Sequence, residues 1–511
     1  MPARVRAPFL AVSLVAGLLL APSALAQDLS GRIVELIRGA DLGQGAVVGV
    51  SIIDCRSGTS IAAYNEDEAL QPASNMKLLT TGAALAILGP DYTFTTRVTV
   101  SGDDLVLVGS GDPALGDPEV LSQMDPPMTA DDMLDAVAGG VQRGNVTTLN
   151  SIIIDDRIFD REMVHSGWPA DQLDKHYAAG VSGLNFHANV LAFYPAPGPG
   201  GPGSLATCEV EPSAPWIPIQ VDARTVGRDG RHQYGVLRDP AQNRFTVYGQ
   251  IKAATQVAAR VALHDNNLFF GRLLAFRLSR SGVAIGSARG SAQLLEHVRL
   301  AGPGESFTID RTLAVITTPL ADVIRRCNVD SVNLYAEALI KLMGHDLTGD
   351  AGSWTNGAAA LRMTIADRLG PEAAASTIIS DGSGFSRQNF VEPSVMTAWL
   401  RSISNDAEFG DEFLASLPTI GEGTLESRFQ TVPTGNRILG KSGTINSVRC
   451  LSGFIVHEAS GRRLAYCVMV NGLREGTDGP RNAMRLHERI VGEADAWLTR
   501  RAEASSANVG G

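Results

Sequence analysis

From Ser74 to Leu88 the chain runs through Met, Leu, Ala, Ile and Gly with almost no polar face, and Gly89-Pro90 closes the run. A helix that is hydrophobic nearly all round has to lie inside a folded body, with other elements covering every side. Its first turn, Ser74-Asn75-Met76-Lys77, nevertheless sets a hydroxyl one turn from an amine. Lysine is scarce in this chain: Lys77, Lys175, Lys252, Lys341 and Lys441 are all it has, so arginine supplies 38 of the 43 basic residues. A desolvated ammonium can give up its proton where a guanidinium cannot, so a Lys kept against this bias is informative. Of the five, only Lys77 has a Ser three positions before it. The plain alternative is a serine near a helix start followed by a solvated lysine, and context decides between the two.

The ends of the chain bound its class. Arg4 and Arg6, an apolar run from Pro8 to Ala21, and Ala24-Leu25-Ala26 before Gln27 form the pattern of a cleaved secretory signal over residues 1–26. No Cys follows the cleavage site, which argues against a lipid anchor. No later apolar run reaches the roughly 18 to 20 residues of a spanning helix, so no membrane span is expected. Losing Arg4 and Arg6 takes the formal net charge from −11 to about −13, a balance that disfavours nucleic acid as a partner. The remaining chain of about 485 residues is too long for one core, and two or three domains are expected.

Five cysteines, Cys55, Cys208, Cys327, Cys450 and Cys467, are few and odd in number for an oxidising compartment. At most two disulfides can form. Cys450 and Cys467 lie on consecutive predicted strands, so a bridge between them is one open pairing. No Cys or His spacing resembles a zinc site, and neither metal nor cofactor is expected.

A short amphipathic helix is predicted over 29–38, followed by a hairpin of Ala46 to Asp54 and Ile61 to Tyr64. From about Tyr92 to Leu300 the texture changes to short strands (Val98 to Val100, Leu105 to Val108, Ile152 to Asp155) and Gly/Pro turns. The stretch from Pro195 to Gly203 reads as a mobile surface loop. A helix-rich segment spans Pro319 to Leu417; three strands follow (Gly440 to Asn446, Cys450 to His457, Leu464 to Val470), then a helix from Pro480 to Leu498. Strands near both ends predict one sheet assembled from both termini. The expected layout is a signal at 1–26, a main domain of 27–95 with 301–501, an inserted region at 96–300 forming two small domains, and a disordered tail at 502–511.

Three further segments change the weight of Ser74 and Lys77. They are Ser331-Val332-Asn333 before Leu334-Tyr335-Ala336-Glu337, Asp381-Gly382-Ser383-Gly384-Phe385-Ser386-Arg387, and Lys441-Ser442-Gly443-Thr444 at a strand start. Taken singly, Ser331 reads as a helix cap, Lys441-Ser442-Gly443 as a strand entry and Asp381 to Gly384 as a turn that supports the cleft. In order, the chain resembles the penicillin-binding proteins and serine β-lactamases, with their Ser-x-x-Lys, Ser-x-Asn and Lys-Thr/Ser-Gly motifs. More narrowly it resembles the class C penicillin-binding proteins of the D-alanyl-D-alanine carboxypeptidase/endopeptidase type. That rests on the 254 positions from Lys77 to Ser331, on Gly109-Ser110-Gly111-Asp112-Pro113, on the Asp-Gly-Ser-Gly segment, and on Leu417-Pro418 through Gly423-Thr424-Leu425. Val332 stands where the family usually has Asp, and Ser442 where it usually has Thr; Ser keeps the hydroxyl.

The resemblance implies an α/β (α+β) fold: a penicillin-binding/β-lactamase-like transpeptidase domain with an antiparallel sheet flanked by helices, interrupted by a large mixed α/β insertion. It also implies a periplasmic serine peptidase that removes the terminal D-Ala of peptidoglycan stem peptides, cuts D-Ala to meso-diaminopimelate cross-links, and is acylated by β-lactams. Acyl transfer needs a nucleophile, a base, oxyanion donors and a proton for the leaving amine. Ser74 fits the nucleophile, Lys77 the base, and Ser331 the relay to the leaving nitrogen. Asn333 would hold the substrate amide or orient Lys77, Lys441 supplies positive potential, and Ser442 and Thr444 would bind the terminal carboxylate. Backbone N–H groups of Ser74 and Thr444 would hold the oxyanion. A serine β-lactamase and a catalytically idle cell-wall-binding protein of the same fold are the competing readings.

Overall fold

The computed structural model describes residues 21–287 and 290–507. A five-stranded antiparallel sheet draws on both ends of the chain, in the order Arg437–Ile445, Val448–His457, Arg462–Asn471, Val47–Asp54, Ser60–Tyr64. Alternate side chains on one strand serve two different cores. Leu464, Tyr466, Val468 and Val470 face the helices Ala21–Gly39 and Gly479–Ala507, against Leu29, Ile33, Ile490 and Trp497. Ala465, Cys467 and Met469 face the opposite way, onto the helical core around Leu78, Leu79 and Trp399. Covered on both faces, the strand reads as an unbroken apolar run rather than an alternating one.

The helical core contains the helix Met76–Leu88, entered through a 3₁₀ turn at Ala73–Asn75 and ended by Gly89 at φ 81°. Every side chain from Met76 to Leu85 is buried, Lys77 among them. A fully buried Leu contributes about 1.5–3 kcal/mol, so Leu78 and Leu79 help offset the burial of the polar side chains beside them. The helices Leu320–Val329, Asn333–Thr348, Trp354–Leu369 and Pro393–Ser404 surround it, and Trp399 Nε1 donates to the Leu78 carbonyl at 3.0 Å.

The mixed α/β insertion has its own five-stranded sheet, ordered Val298–Leu300, Ile152–Asp155, Asp104–Val108, Thr93–Ser101, Arg311–Pro319. The last strand falls where the sequence suggested no element, and it pairs antiparallel with Thr93–Ser101, with a shift of register at Leu313. The helices Ala130–Arg143 and Phe269–Arg280 cover this sheet. Smaller sheets between Val190 and Ala262, and a parallel pair of Thr148–Leu149 with Ala284–Ile285, complete the insertion.

Four expectations change. The first helix begins at Ala21, inside the expected signal, whose residues 1–20 lie outside the described residues. The last helix continues to Ala507, because Ala494, Leu498 and Ala502, spaced by four, carry its buried stripe past Leu498. Of the expected disordered tail, residues 508–511 lie outside the described residues. The Gly/Pro stretch is pinned: Pro195 and Ala196 end a strand, Gly198 N donates to Thr225 Oγ1 and Gly203 N to the Thr225 carbonyl, both at 2.8 Å. All five cysteines are free, and the expected pair on consecutive strands is out of register, with Cys467 opposite Ser452 and Cys450 opposite Met469.

Candidate active site

The start of the central helix is clamped from two sides. Asn75 Nδ2 donates to Ser452 Oγ on the sheet at 2.6 Å, and Thr80 Oγ1 donates to the Gly382 carbonyl at 2.7 Å. The turn Asp381-Gly382-Ser383-Gly384 lies on the entry to the helix so closely that a Cβ on Gly384, at φ 81°, would overlap the Ala73 carbonyl oxygen. Asp381 folds this turn, accepting from Gly384 N, Ser386 N, Asn389 Nδ2 and the indole of Trp168, a residue of the insertion. Glu337 accepts from Gly382 N at 3.0 Å, Ser383 N at 2.9 Å and Trp354 Nε1 at 2.7 Å. Burial and then the neighbouring Asp381 push its carboxyl up to about 7.

Lys77 Nζ, fully buried, has three neighbours: Asn333 Oδ1 at 2.7 Å, the Ser383 carbonyl at 3.0 Å and Ser74 Oγ at 3.1 Å. The first two only accept. The orientation of the Asn333 amide is set by its Nδ2, which donates to the Tyr177 carbonyl at 2.7 Å. A neutral amine has two hydrogens and one lone pair. With both hydrogens directed at acceptors, the lone pair remains for the Ser74 hydroxyl. Burial, the largest influence, lowers the Lys77 pKa below its ordinary 10.5, against the pull of Cys327, Glu337 and Asp381.

The second amine repeats the pattern. Lys441 Nζ is 2.8 Å from both Ser331 Oγ and the Ser442 carbonyl. Burial first, and the positive Lys77 second, hold its pKa well below normal. Ser331 is not a cap: Val332 occupies that position for the helix Asn333–Thr348, with no side-chain capping bond, and Ser331 itself sits at φ 62°. Its left-handed backbone is strained for a residue with a Cβ.

Ser74, Ser331, Asn333 and Thr444 line one cleft of about 350 Å³, with Lys77 and Lys441 buried beneath it. Ser442, half-buried on the same strand face as Thr444, does not line it. The strand approaches the helix closely at Gly443, where a Cβ would lie 2.8 Å from the Pro72 carbonyl oxygen and 3.1 Å from Ser74 N. Sequence reasoning missed one wall altogether: Pro169, Gln172 and Tyr177 come from the insertion, and the Tyr177 ring packs on Phe385 at 5.5 Å. Tyr177 bonds through its main chain to the second motif, so no local pattern marks it. Ser383 likewise acts through a carbonyl. Chemically, the arrangement pairs each of two hydroxyls with its own buried amine, as acyl transfer with separate proton acceptance and return requires.

A sheet built from both chain ends, with a buried Ser–Lys helix before it and a Lys-Ser-Gly strand at its edge, defines a penicillin-recognising peptidase fold. Residues 30–491 match the D-Ala-D-Ala carboxypeptidase 3 (S13) family, and the chain belongs to it. It is similar to the D-alanyl-D-alanine carboxypeptidase of Actinomadura sp. (strain R39), 30% identical over 92% of this chain and 87% of that one. Similarity to the D-alanyl-D-alanine carboxypeptidase DacB of Haemophilus influenzae (strain ATCC 51907 / DSM 11121 / KW20 / Rd) is 23% identity over 85% of this chain and 87% of that protein. Among solved structures, penicillin binding protein 4 (dacB) from Haemophilus influenzae shares the fold, with a TM-score of 0.69 at 20% identity, covering 89% of this chain and 98% of that one.

Proposed function

We propose that the chain is a serine-type D-Ala-D-Ala carboxypeptidase that also opens D-Ala to meso-diaminopimelate cross-links, through an acyl-enzyme on Ser74. The observation that carries this reading is the bonding of Lys77, whose two acceptor-only partners leave a lone pair facing Ser74. Ser74 Oγ bonds to the penultimate D-Ala carbonyl carbon while Lys77 takes the hydroxyl proton. The oxyanion is held by the Ser74 and Thr444 N–H groups. When the C–N bond breaks, Ser331 passes a proton to the leaving nitrogen and is resupplied by Lys441. Water then attacks the ester carbonyl and gives a proton to Lys441, and as the ester C–O bond breaks Lys77 returns its proton to Ser74 Oγ, which restores both amines. Asn333 orients Lys77, and the Thr444 hydroxyl receives the terminal carboxylate in the positive potential of Lys441, whereas Ser442, expected to share that contact, stands outside the cleft lining. β-Lactams acylate the same serine.

The reading extends to organisation and place. A secretory signal at 1–26 exports the protein to the periplasm, where peptidoglycan stem peptides are its substrates. The peptidase domain expected at 27–95 and 301–501 cedes Thr93–Ser101 and Arg311–Pro319 to the sheet of the insertion, so the inserted region of two small domains runs from 93 to 319 rather than 96 to 300, and it supplies the cleft wall at Tyr177.

Intact-protein mass spectrometry with benzylpenicillin, beside D-Ala release from a pentapeptide, tests the function. A long-lived adduct on Ser74, absent from Ser74→Ala, together with D-Ala release, is the expected result. Lys77→Arg keeps a positive charge and loses acylation almost as completely as Ser74→Ala, because guanidinium supplies no lone pair. Rapid penicillin turnover without D-Ala release would make the chain a β-lactamase, and neither signal would leave an idle binding fold.

A further inference from the structure

The catalytic cleft does not end at the second motif. Tyr177, Ser331 and Asn333 also line a second cavity, of about 330 Å³, on the far side of Tyr177. That cavity in turn shares Glu119, Arg326 and Asp330 with a third, of about 540 Å³. The three adjoin through these shared walls, from Ser74 along the junction of the insertion with the helix Leu320–Val329. A terminal D-Ala leaving group has only a methyl side chain, so carboxypeptidase action has no use for this volume.

The second cavity is a built polar site. His187 is 2% exposed and lines it. Its Nδ1 donates to the Val190 carbonyl at 3.1 Å, which leaves Nε2 as an acceptor on a ring whose charging is disfavoured by burial. The backbone that presents it is costly: His187, Ala188 and Asn189 have φ of 56°, 51° and 56°, three successive left-handed residues. Asn189 holds this turn, accepting from Phe186 N and donating to Gly180 O and Asn185 Oδ1. The two arginines of the cavity differ. Arg326 is committed to Asp117 and Asp330 and is nearly buried, whereas the 3.0 Å partner of Arg260 is the exposed Glu119. An exposed pair of that kind holds weakly, so Arg260 can exchange Glu119 for a ligand carboxylate.

We propose that this second cavity binds the amine-donating stem peptide of a cross-linked peptide dimer, with Arg260 taking a carboxylate of that strand and His187 an amide N–H. The inference rests on the peptidase reading and names the substrate class that the leaving-group side selects: a branched peptide whose leaving amine carries a whole second stem. Acylation chemistry at Ser74 is unchanged; only the group departing past Ser331 differs.

The test compares two substrates on the mature full-length chain, a pentapeptide scored by D-Ala release and a purified D-Ala to meso-diaminopimelate cross-linked dimer scored by monomer release. Arg260→Ala and Arg260→Glu lie on an exposed strand position and leave the core intact. Cleavage of the dimer is expected to fall about tenfold or more in kcat/KM, mainly through KM and further for Glu than for Ala, with D-Ala release and penicillin acylation within about twofold of wild type. Tyr194→Ala, which opens the cavity wall without touching charge, gives a smaller loss on the dimer alone. Equal losses on both substrates, no loss on either, or a wild-type enzyme that releases D-Ala yet ignores the dimer would each overturn the proposal. A wild-type chain that neither acylates nor releases D-Ala would instead sink the peptidase reading beneath it.

Discussion

Asn333 accepts a 2.7 Å hydrogen bond from Lys77 Nζ at Oδ1 while its Nδ2 donates, also at 2.7 Å, to the Tyr177 carbonyl. One amide therefore fixes both the amine of the first motif and the wall contributed by the insertion. Its orientation is not interchangeable, because Lys77 donates to it while the Tyr177 carbonyl only accepts, so a flipped amide would set oxygen against oxygen.

Asn333→Asp places a carboxylate against Lys77, and an opposite charge at that distance raises an amine pKa by about 1–3 units. In the wild type, acylation rises with pH as Lys77 loses its proton, through a value that burial holds below 10.5. Stability moves the same way, since between that value and 10.5 the unfolded chain binds more protons. The variant shifts the ascending limb of the acylation–pH profile upward by about one unit or more and slows acylation near neutrality about tenfold. An unmoved limb would remove Lys77 as the titrating base.

Gly443→Ala drives a methyl to 2.8 Å from the Pro72 carbonyl oxygen and 3.1 Å from Ser74 N, so strand and helix entry must part. Overpacking of this kind costs about 1–3 kcal/mol. Because the displaced strand carries Thr444, penicillin acylation falls about a hundredfold, more than the stability loss alone explains. Thermal unfolding beside stopped acylation time courses separates the two, and acylation at the wild-type rate would show that this approach does not set the geometry.

Glu337→Gln trades one acceptor oxygen for an NH₂ facing backbone N–H groups, at a cost of about 1–3 kcal/mol. The wild-type carboxyl, raised from 4.5 to about 7 in the fold, stabilises the protein below its ordinary value and loses that contribution as pH rises toward 7. Denaturant unfolding across this window should show wild-type stability declining with pH and a flatter profile in the variant. The loosened Ser383 carbonyl also slows acylation, which a purely structural role would not do.

Thiol titration of denatured protein should count five free cysteines, and reductant should leave the thermal midpoint unchanged. In the native state only half-buried Cys208 is accessible, and slowly, because burial pushes its thiol up to about 11. A bridge between Cys450 and Cys467 would appear as a titration of three.

What was legible in the sequence follows from locality. Ser74 and Lys77 share one helical turn, Lys441 to Thr444 one strand, and Ser331 to Asn333 one helix entry, and each spacing has a physical consequence wherever the segment lies. The apolar run from Ser74 to Leu88 dictated burial because nothing polar could turn it outward. Taken singly, Ser331 has the signature of a helix cap, and only its place in the ordered motifs set it against Lys441; locality misled at the Pro195 to Gly203 loop, whose hydrogen bonds to Thr225 come from a distant strand.

The sequence by itself determined the motif set, the central buried helix, the sheet drawn from both ends and the family resemblance, all of which are patterns of residue type along the chain. Only the tertiary structure decided which acceptors surround Lys77, that the Ser383 and Tyr177 main chains complete the site, and that the insertion forms one wall and a second cavity. Those depend on carbonyl groups, which every residue carries alike, and on distances between segments more than 150 positions apart in the case of Tyr177 and Asn333. A backbone acceptor leaves no mark in the order of side chains; it acquires a role only when folding aims it.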